Sequence, residues 1–205
     1  MSARWSAVVV YKGRGASKTR LAHEDRSALA EAFLLDTLAA VGAADGVDLL
    51  VLVTSDEAAA ARAVGRYPAL VLVEDPGALN PAVTAGVDAA LRLAPDAPVI
   101  ALTGDLPALA AADLDAALAL ASPLPAVVAD RAGTGTTALL VAAAARPAPA
   151  FGPDSLRRHR DAGCRVLEVP RDSTLRLDVD TVDDLRDARA AGVGPCTARE
   201  LAEAA

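Results

Sequence analysis

The chain alternates between short apolar runs and longer stretches in which apolar residues recur every three or four positions. Runs of the first kind predict strands over 6–11, 48–53, 69–74, 98–103, 125–130, 137–142, 165–169 and 175–179. The alanine-rich stretches predict helices near 25–41, 56–65, 80–94 and 111–121. A short helix at 153–161, another at 181–191 and a terminal one within GVGPCTARELAEAA follow. Segments such as LLVLV and PVIAL are apolar throughout, as parallel strands are when helices cover both faces of their sheet. The β-α-β-α order up to residue 123 predicts a doubly wound α/β sheet. Beyond it a strand, the loop DRAGTGT and another strand follow without an intervening helix, which predicts an antiparallel pair. There is no internal repeat and no linker long enough to split the chain, so 1–205 reads as a single domain. The Ala/Pro-rich stretch 143–150 reads as a surface connection.

Composition narrows the picture. Hydrophobic residues make up 53% of the chain but aromatics only 2%, so the core is built from Ala, Val and Leu. A net charge of −7 argues against nucleic acid or an anionic membrane as partner. An anionic substrate then needs a local basic loop or bound cations. No run of 18 apolar residues occurs, and MSARWSAVVVYKG turns polar too soon for a signal peptide, so a cytoplasmic protein is expected. The sequence is compatible with a homo-oligomer. Cys164 and Cys196 lie 32 positions apart and match no zinc or redox spacing. A metal here is expected to be hard, magnesium held by carboxylates.

Ligands of open α/β sheets collect beyond the carboxyl ends of the strands, and the unusual residues fall there. The only two lysines, Lys12 and Lys18, share the loop after the first strand, whereas eighteen arginines are spread from Arg4 to Arg199. A compact ammonium suits gripping phosphate oxygens as a point charge. The loop is not a Walker A motif: Ser17 stands where glycine should precede the lysine, and Gly13 to Lys18 is one position short. Nor does it carry the third glycine of a dinucleotide fingerprint. Asp105 follows a buried strand in Thr103-Gly104-Asp105-Leu106-Pro107, exposed to bind a cation, while Asp113 is the better cap for the helix at 111–121. Asp178 and Asp180 sit at i and i+2 and face one side of an extended segment, which calls for a cation or for hydrogen-bond donors. Asp180 also stands where it could cap the helix at 181–191. Together the three aspartates suffice for a two-magnesium site completed by waters and phosphates. Gly152-Pro153-Asp154-Ser155 opens a short helix and offers either a seat for a carboxylate or ordinary capping. Arg157 and His159 on that helix are expected to be solvated.

The segments YKGRGASKTRLA, LVTSDE, EDPGALNPAV, LTGDLPAL, DRAGTGTTALL, FGPDSLRRH and LDVDTVDDL occur in the order and spacing of a known family. The chain resembles the 2-phospho-L-lactate / phosphoenolpyruvate guanylyltransferases of coenzyme F420 biosynthesis over almost its whole length. GVGPCTARE is similar to the actinobacterial branch, whose substrate is taken to be phosphoenolpyruvate. The resemblance implies a nucleotidyltransferase-type, GT-A-like and Rossmann-like, three-layer α/β sandwich with a mixed, mostly parallel sheet. It implies two magnesium ions on Asp105, Asp178 and Asp180. Lys12, Lys18 and Arg20 are expected to hold the GTP phosphates, with Asn80 beside the nucleotide and Lys18 and Asp105 as the catalytic pair. The acceptor carboxylate is expected near Thr137, Gly152 and Ser155. Three positions depart from the family pattern: Thr103-Gly104 before Asp105, Thr137 where Asn is frequent, and Pro81 after Asn80.

The activity implied is transfer of GMP from GTP to phosphoenolpyruvate, or to 2-phospho-L-lactate, with release of pyrophosphate. An acceptor phosphate is already ionised near pH 7, so no general base is required, consistent with a site lacking an evident catalytic histidine. A metal-dependent sugar-nucleotide glycosyltransferase and a non-catalytic nucleotide-binding regulator are the competing readings.

Overall fold

The computed structural model describes residues 4–13, 26–67, 69–143 and 148–203. Seven strands form one sheet: β1 (Trp5–Val10), β2 (Val47–Val53), β3 (Val71–Val73), β4 (Val99–Thr103), β5 (Ala126–Ala129), β6 (Thr136–Val141) and β7 (Arg165–Val166). Their spatial order is β3-β2-β1-β4-β6-β5-β7. β1 runs parallel to both β2 and β4, and β2 to β3. β6 is antiparallel to its neighbours β4 and β5, and β7 returns parallel to β5. The sheet is therefore mixed and mostly parallel, with the reversal at the hairpin that the helix-free stretch predicts.

The helices are α1 (Arg26–Ala43), α2 (Glu57–Arg66), α3 (Leu79–Leu93), α4 (Ala111–Ala119), α5 (Ser155–Asp161), α6 (Val182–Ala191) and α7 (Pro195–Glu203). Alternate residues of each strand face opposite sides. Ala7, Val9, Leu52, Ile100 and Leu102 pack with Leu34 and Leu38 of α1, Ala59 and Ala63 of α2 and Leu114 of α4. Val8, Val10, Val51, Val53 and Leu139 pack on the other face against Val83 and Val87 of α3, Phe151 and Leu156. Small residues let these layers approach closely. A Cβ on Gly86 of α3 would stand 2.3 Å from Val8 Cγ1 and 2.7 Å from Val53 Cγ2.

Several expectations are corrected. Residues 175–179 do not form a strand; a 3-10 turn spans Thr174–Arg176 and an unpaired segment follows. Burial nonetheless alternates there, because Leu177 and Val179 pack against Leu29 and Phe33 of α1 and Ala188 of α6. Asp113 does not cap α4, whose N-cap is Ala110 without a side-chain bond. Its carboxylate instead accepts from the backbone N–H and hydroxyl of Thr174, each at 2.6 Å. Thr181, not Asp180, caps α6 through a capping box with Asp184.

Candidate active site

The acid-bearing loops meet at the carboxyl edge of the parallel strands. Gly104 N–H donates to Val10 C=O at 2.9 Å, holding the loop after β4 to the end of β1. Asp105 follows, and Thr103 Oγ1 donates to its Oδ1 at 2.6 Å. The Asp105 carbonyl in turn accepts the Val179 N–H at 3.0 Å. One backbone bond thus brings the Asp178–Asp180 segment alongside Asp105. Burial of Leu177 and Val179 turns the intervening Asp178 away from the core. Partial burial, then the charges of Asp105, Asp180 and Asp130, push the Asp178 carboxyl up to about 8. Among the described residues no group of three or more His, Cys, Asp or Glu is arranged to hold a metal ion by itself. The donor chemistry still fits magnesium. The ligands are hard carboxylate oxygens, and the repulsion around Asp178 is of the kind a cation relieves.

On the first loop, Lys12 Nζ lies 2.9 Å from Asp75 Oδ2 and 3.2 Å from Asp75 Oδ1. The Asp75 side chain is almost wholly buried and also accepts the Gly77 N–H at 2.9 Å. Lys12 therefore ties the loop after β1 to the loop after β3. Gly13 continues with a φ of 77°, a conformation that favours glycine. Lys18 and Arg20 lie outside the described residues.

The acceptor candidates lie across the edge at the reversed hairpin. Thr137 is fully buried, and its hydroxyl has no hydrogen-bond partner among the described residues. A buried hydroxyl of this kind is costly unless something completes it. The loop before β6 is organised by Asp130. Its Oδ1 accepts the Thr134 N–H and its Oδ2 the Gly135 N–H, both at 2.9 Å. A Cβ at Gly135 would meet that carboxylate at 2.5 Å. The Thr134 carbonyl accepts the Leu156 N–H at 3.1 Å, which fastens the loop to α5.

Ser155 is buried and begins α5, two residues later than the predicted helix start. Gly152 has a φ of 113° and Asp154 one of 53°, so the segment before Ser155 is a turn, not a first helical turn. The Asn80 amide is engaged by one backbone residue. Its Oδ1 accepts the Phe151 N–H at 2.8 Å, and its Nδ2 donates to the Phe151 carbonyl at 3.2 Å. His159 is buried, not solvated. Its Nε2 accepts the Ala150 N–H at 2.9 Å, which leaves the proton on Nδ1, 3.1 Å from Thr136 Oγ1. Burial, then the neighbouring Arg158, lowers its pKa, and a bond with the Ser155 backbone opposes this. Arg157 is exposed, as expected. Asp75, Asp130 and His159 are the site-shaping residues that sequence reasoning missed. The signal for Asp130 was an acid directly before a loop with two glycines, and that for Asp75 an acid at the end of the third strand; His159 gave none beyond its residue type.

The match to known proteins extends along this whole framework. Residues 6–199 match the family model described as "Guanylyl transferase CofC like". The chain belongs to that family. It is 43% identical over 201 residues to the phosphoenolpyruvate guanylyltransferase of Streptomyces coelicolor, covering 95% of this chain and 94% of that protein. It is 40% identical over 205 residues to the protein of that name from Mycobacterium marinum, covering 95% and 92%. Among solved structures, a 4-diphosphocytidyl-2C-methyl-D-erythritol synthase superposes with a TM-score of 0.64 at 14% identity, covering 93% of this chain and 99% of that one. A nucleotidyl transferase from Methanothermobacter gives a TM-score of 0.56 at 19% identity, covering 92% and 97%. At such identities the likeness is one of fold, and it places this CofC-like chain among nucleotidyltransferase-type sandwiches. Among the described residues no helix is long and apolar enough to cross a membrane.

Proposed function

We propose that the protein is a phosphoenolpyruvate guanylyltransferase, forming enolpyruvyl-diphospho-guanosine and pyrophosphate in coenzyme F420 biosynthesis. One observation carries the reading. The Asp105 and Asp178–Asp180 segments, joined by the Val179–Asp105 backbone bond, stand on the same sheet edge as the hairpin that bears Thr137. A phosphate oxygen of the acceptor attacks the α-phosphorus of GTP, the bond to the pyrophosphate oxygen breaks, and the leaving group carries away the electron pair. The nucleophile is ionised near neutrality, so the chain supplies no base. Its task is to hold two polyanions together and to match the charge that develops on the leaving group.

Asp105, Asp178 and Asp180 would hold magnesium, which supplies Lewis-acid charge stabilisation when bound. Lys18 and Arg20 supply cationic charge to the GTP phosphates. Lys12 serves the same loop by fixing it to Asp75. The Thr137 hydroxyl, the Gly152 N–H and Ser155 take the acceptor carboxylate. Support for phosphoenolpyruvate over 2-phospho-L-lactate comes from the names of the relatives that this chain matches over nearly its full length.

Pyrophosphate release from GTP and magnesium tests the proposal, with phosphoenolpyruvate, 2-phospho-L-lactate, a sugar phosphate and no acceptor compared. Release that depends on phosphoenolpyruvate, with the guanylylated product identified by mass, is the expected result. Release with 2-phospho-L-lactate alone, or with none of the acceptors, rejects it.

A further inference from the structure

The peptide that leads into the acceptor turn is held by side chains from outside the turn. Asn80 uses both edges of its amide on one residue, Phe151, with its oxygen on the N–H and its nitrogen on the carbonyl. Arg158 Nη2 adds a second donor to the same carbonyl at 3.1 Å. The preceding N–H, that of Ala150, is held by His159. The Phe151 ring is buried with Val83 and Val87 of α3 and meets the His159 ring edge-on at 5.3 Å.

A trans peptide is planar, so its N–H points opposite to its C=O. The Phe151 carbonyl and the Gly152 N–H belong to one peptide. Fixing the carbonyl oxygen between Asn80 and Arg158 therefore fixes the direction of the Gly152 N–H. Gly152, with its φ of 113°, imposes little restraint of its own.

We infer that Asn80 is a positioning residue for the acceptor: it aims the Gly152 N–H at the acceptor carboxylate and does not bind the nucleotide. The inference rests on the guanylyltransferase reading above. Asn80 lies in the first turn of α3, five residues after Asp75, which grips Lys12. The segment 75–80 thus fastens the lysine loop at one end and the acceptor turn at the other. It acts as a spacer that sets the donor loop against the acceptor seat.

The test is steady-state kinetics of Asn80→Ala and Asn80→Asp with both substrates varied. Asn80→Ala should raise the KM for phosphoenolpyruvate by about tenfold or more, with the KM for GTP within about twofold of wild type. Asn80→Asp keeps the acceptor for the Phe151 N–H but places an oxygen against the Phe151 carbonyl. It should show the same acceptor defect while melting near the wild-type temperature, and it decides the matter if the alanine variant does not fold. A raised KM for GTP with an unchanged acceptor KM would put Asn80 at the nucleotide and overturn the inference. Equal changes in both constants, or wild-type kinetics, would overturn it as well. A wild-type protein that releases no pyrophosphate with phosphoenolpyruvate sinks the functional reading first, and is seen before any variant is made.

Discussion

Asp178 is under two opposing demands. The magnesium-holding role proposed for it needs a charged carboxylate, whereas its partial burial and the three nearby acids favour the neutral form. Its carboxyl rises from an ordinary 3.8 to about 8, so the folded protein binds a proton more tightly there than the unfolded chain does. By linkage, this contribution to stability is full below the unfolded value and is lost as pH rises towards the folded one. In chelator, the melting temperature should decline between about pH 4 and pH 8 on account of this residue. Magnesium should reduce the decline, and Asp178→Asn should abolish it while cutting turnover by orders of magnitude. A melting profile unaltered by the substitution would refute the assignment. His159 contributes with the opposite sign. Its lowered pKa means that the unfolded chain protonates first as pH falls through the ordinary histidine range, so stability is lost towards acid. The Asp178→Asn variant should expose this acid-side loss on its own.

Helix α3 is the element on which the site depends most, since its first turn carries Asn80 and its body lies across β1 and β2. Gly86 allows that close approach. Gly86→Ala would drive a methyl group into Val8 and Val53 and should destabilise the protein by about 1–3 kcal/mol, read as a lower urea midpoint with an unchanged slope. The elements themselves were legible in the sequence, because buried parallel strands and amphipathic helices leave strong periodic marks. β2 and β4 were expected at 48–53 and 98–103 and lie at Val47–Val53 and Val99–Thr103. The segment 175–179 misled because its alternation records packing against α1 and α6, and burial alternates whether or not a neighbouring strand supplies hydrogen bonds. Of the candidate site, Asp105 stood out as an acid after an apolar run and Asp178 and Asp180 as like charges at i and i+2, and the Val179–Asp105 backbone bond brings these segments together. The roles of Asn80, Asp75 and His159 were not legible, since each is set by a partner 9 to 71 positions away.

Across the whole molecule, one buried acid of α1 holds the first turn of α7. Asp36 lies in the middle of α1 within an apolar run and is buried. Its two oxygens accept the N–H groups of Cys196 at 3.0 Å and Thr197 at 2.8 Å. Backbone bonds to a buried carboxylate are strong, so Asp36→Ala should lower unfolding free energy by about 3 kcal/mol. It should also open the chain near 194–203 to proteolysis before the remainder. Equal resistance of α7 in the variant would show that its packing on α1 is sufficient. The sheet, by contrast, divides the labour between its two halves. The lysine loop and Asp105 follow parallel strands, whereas Thr136 and Thr137 begin β6, which among the described strands alone runs the other way. Because that strand is reversed, its beginning and the end of β5 reach the same edge within one hairpin. On the proposed reading Thr137 therefore stands in that hairpin, whereas Gly152 and Ser155 follow β6 in the chain and Asn80 reaches their turn from α3. An exchange of the hairpin alone between relatives would then leave the far side of the seat unchanged, so a switch of acceptor calls for matched changes at three separated places in the chain.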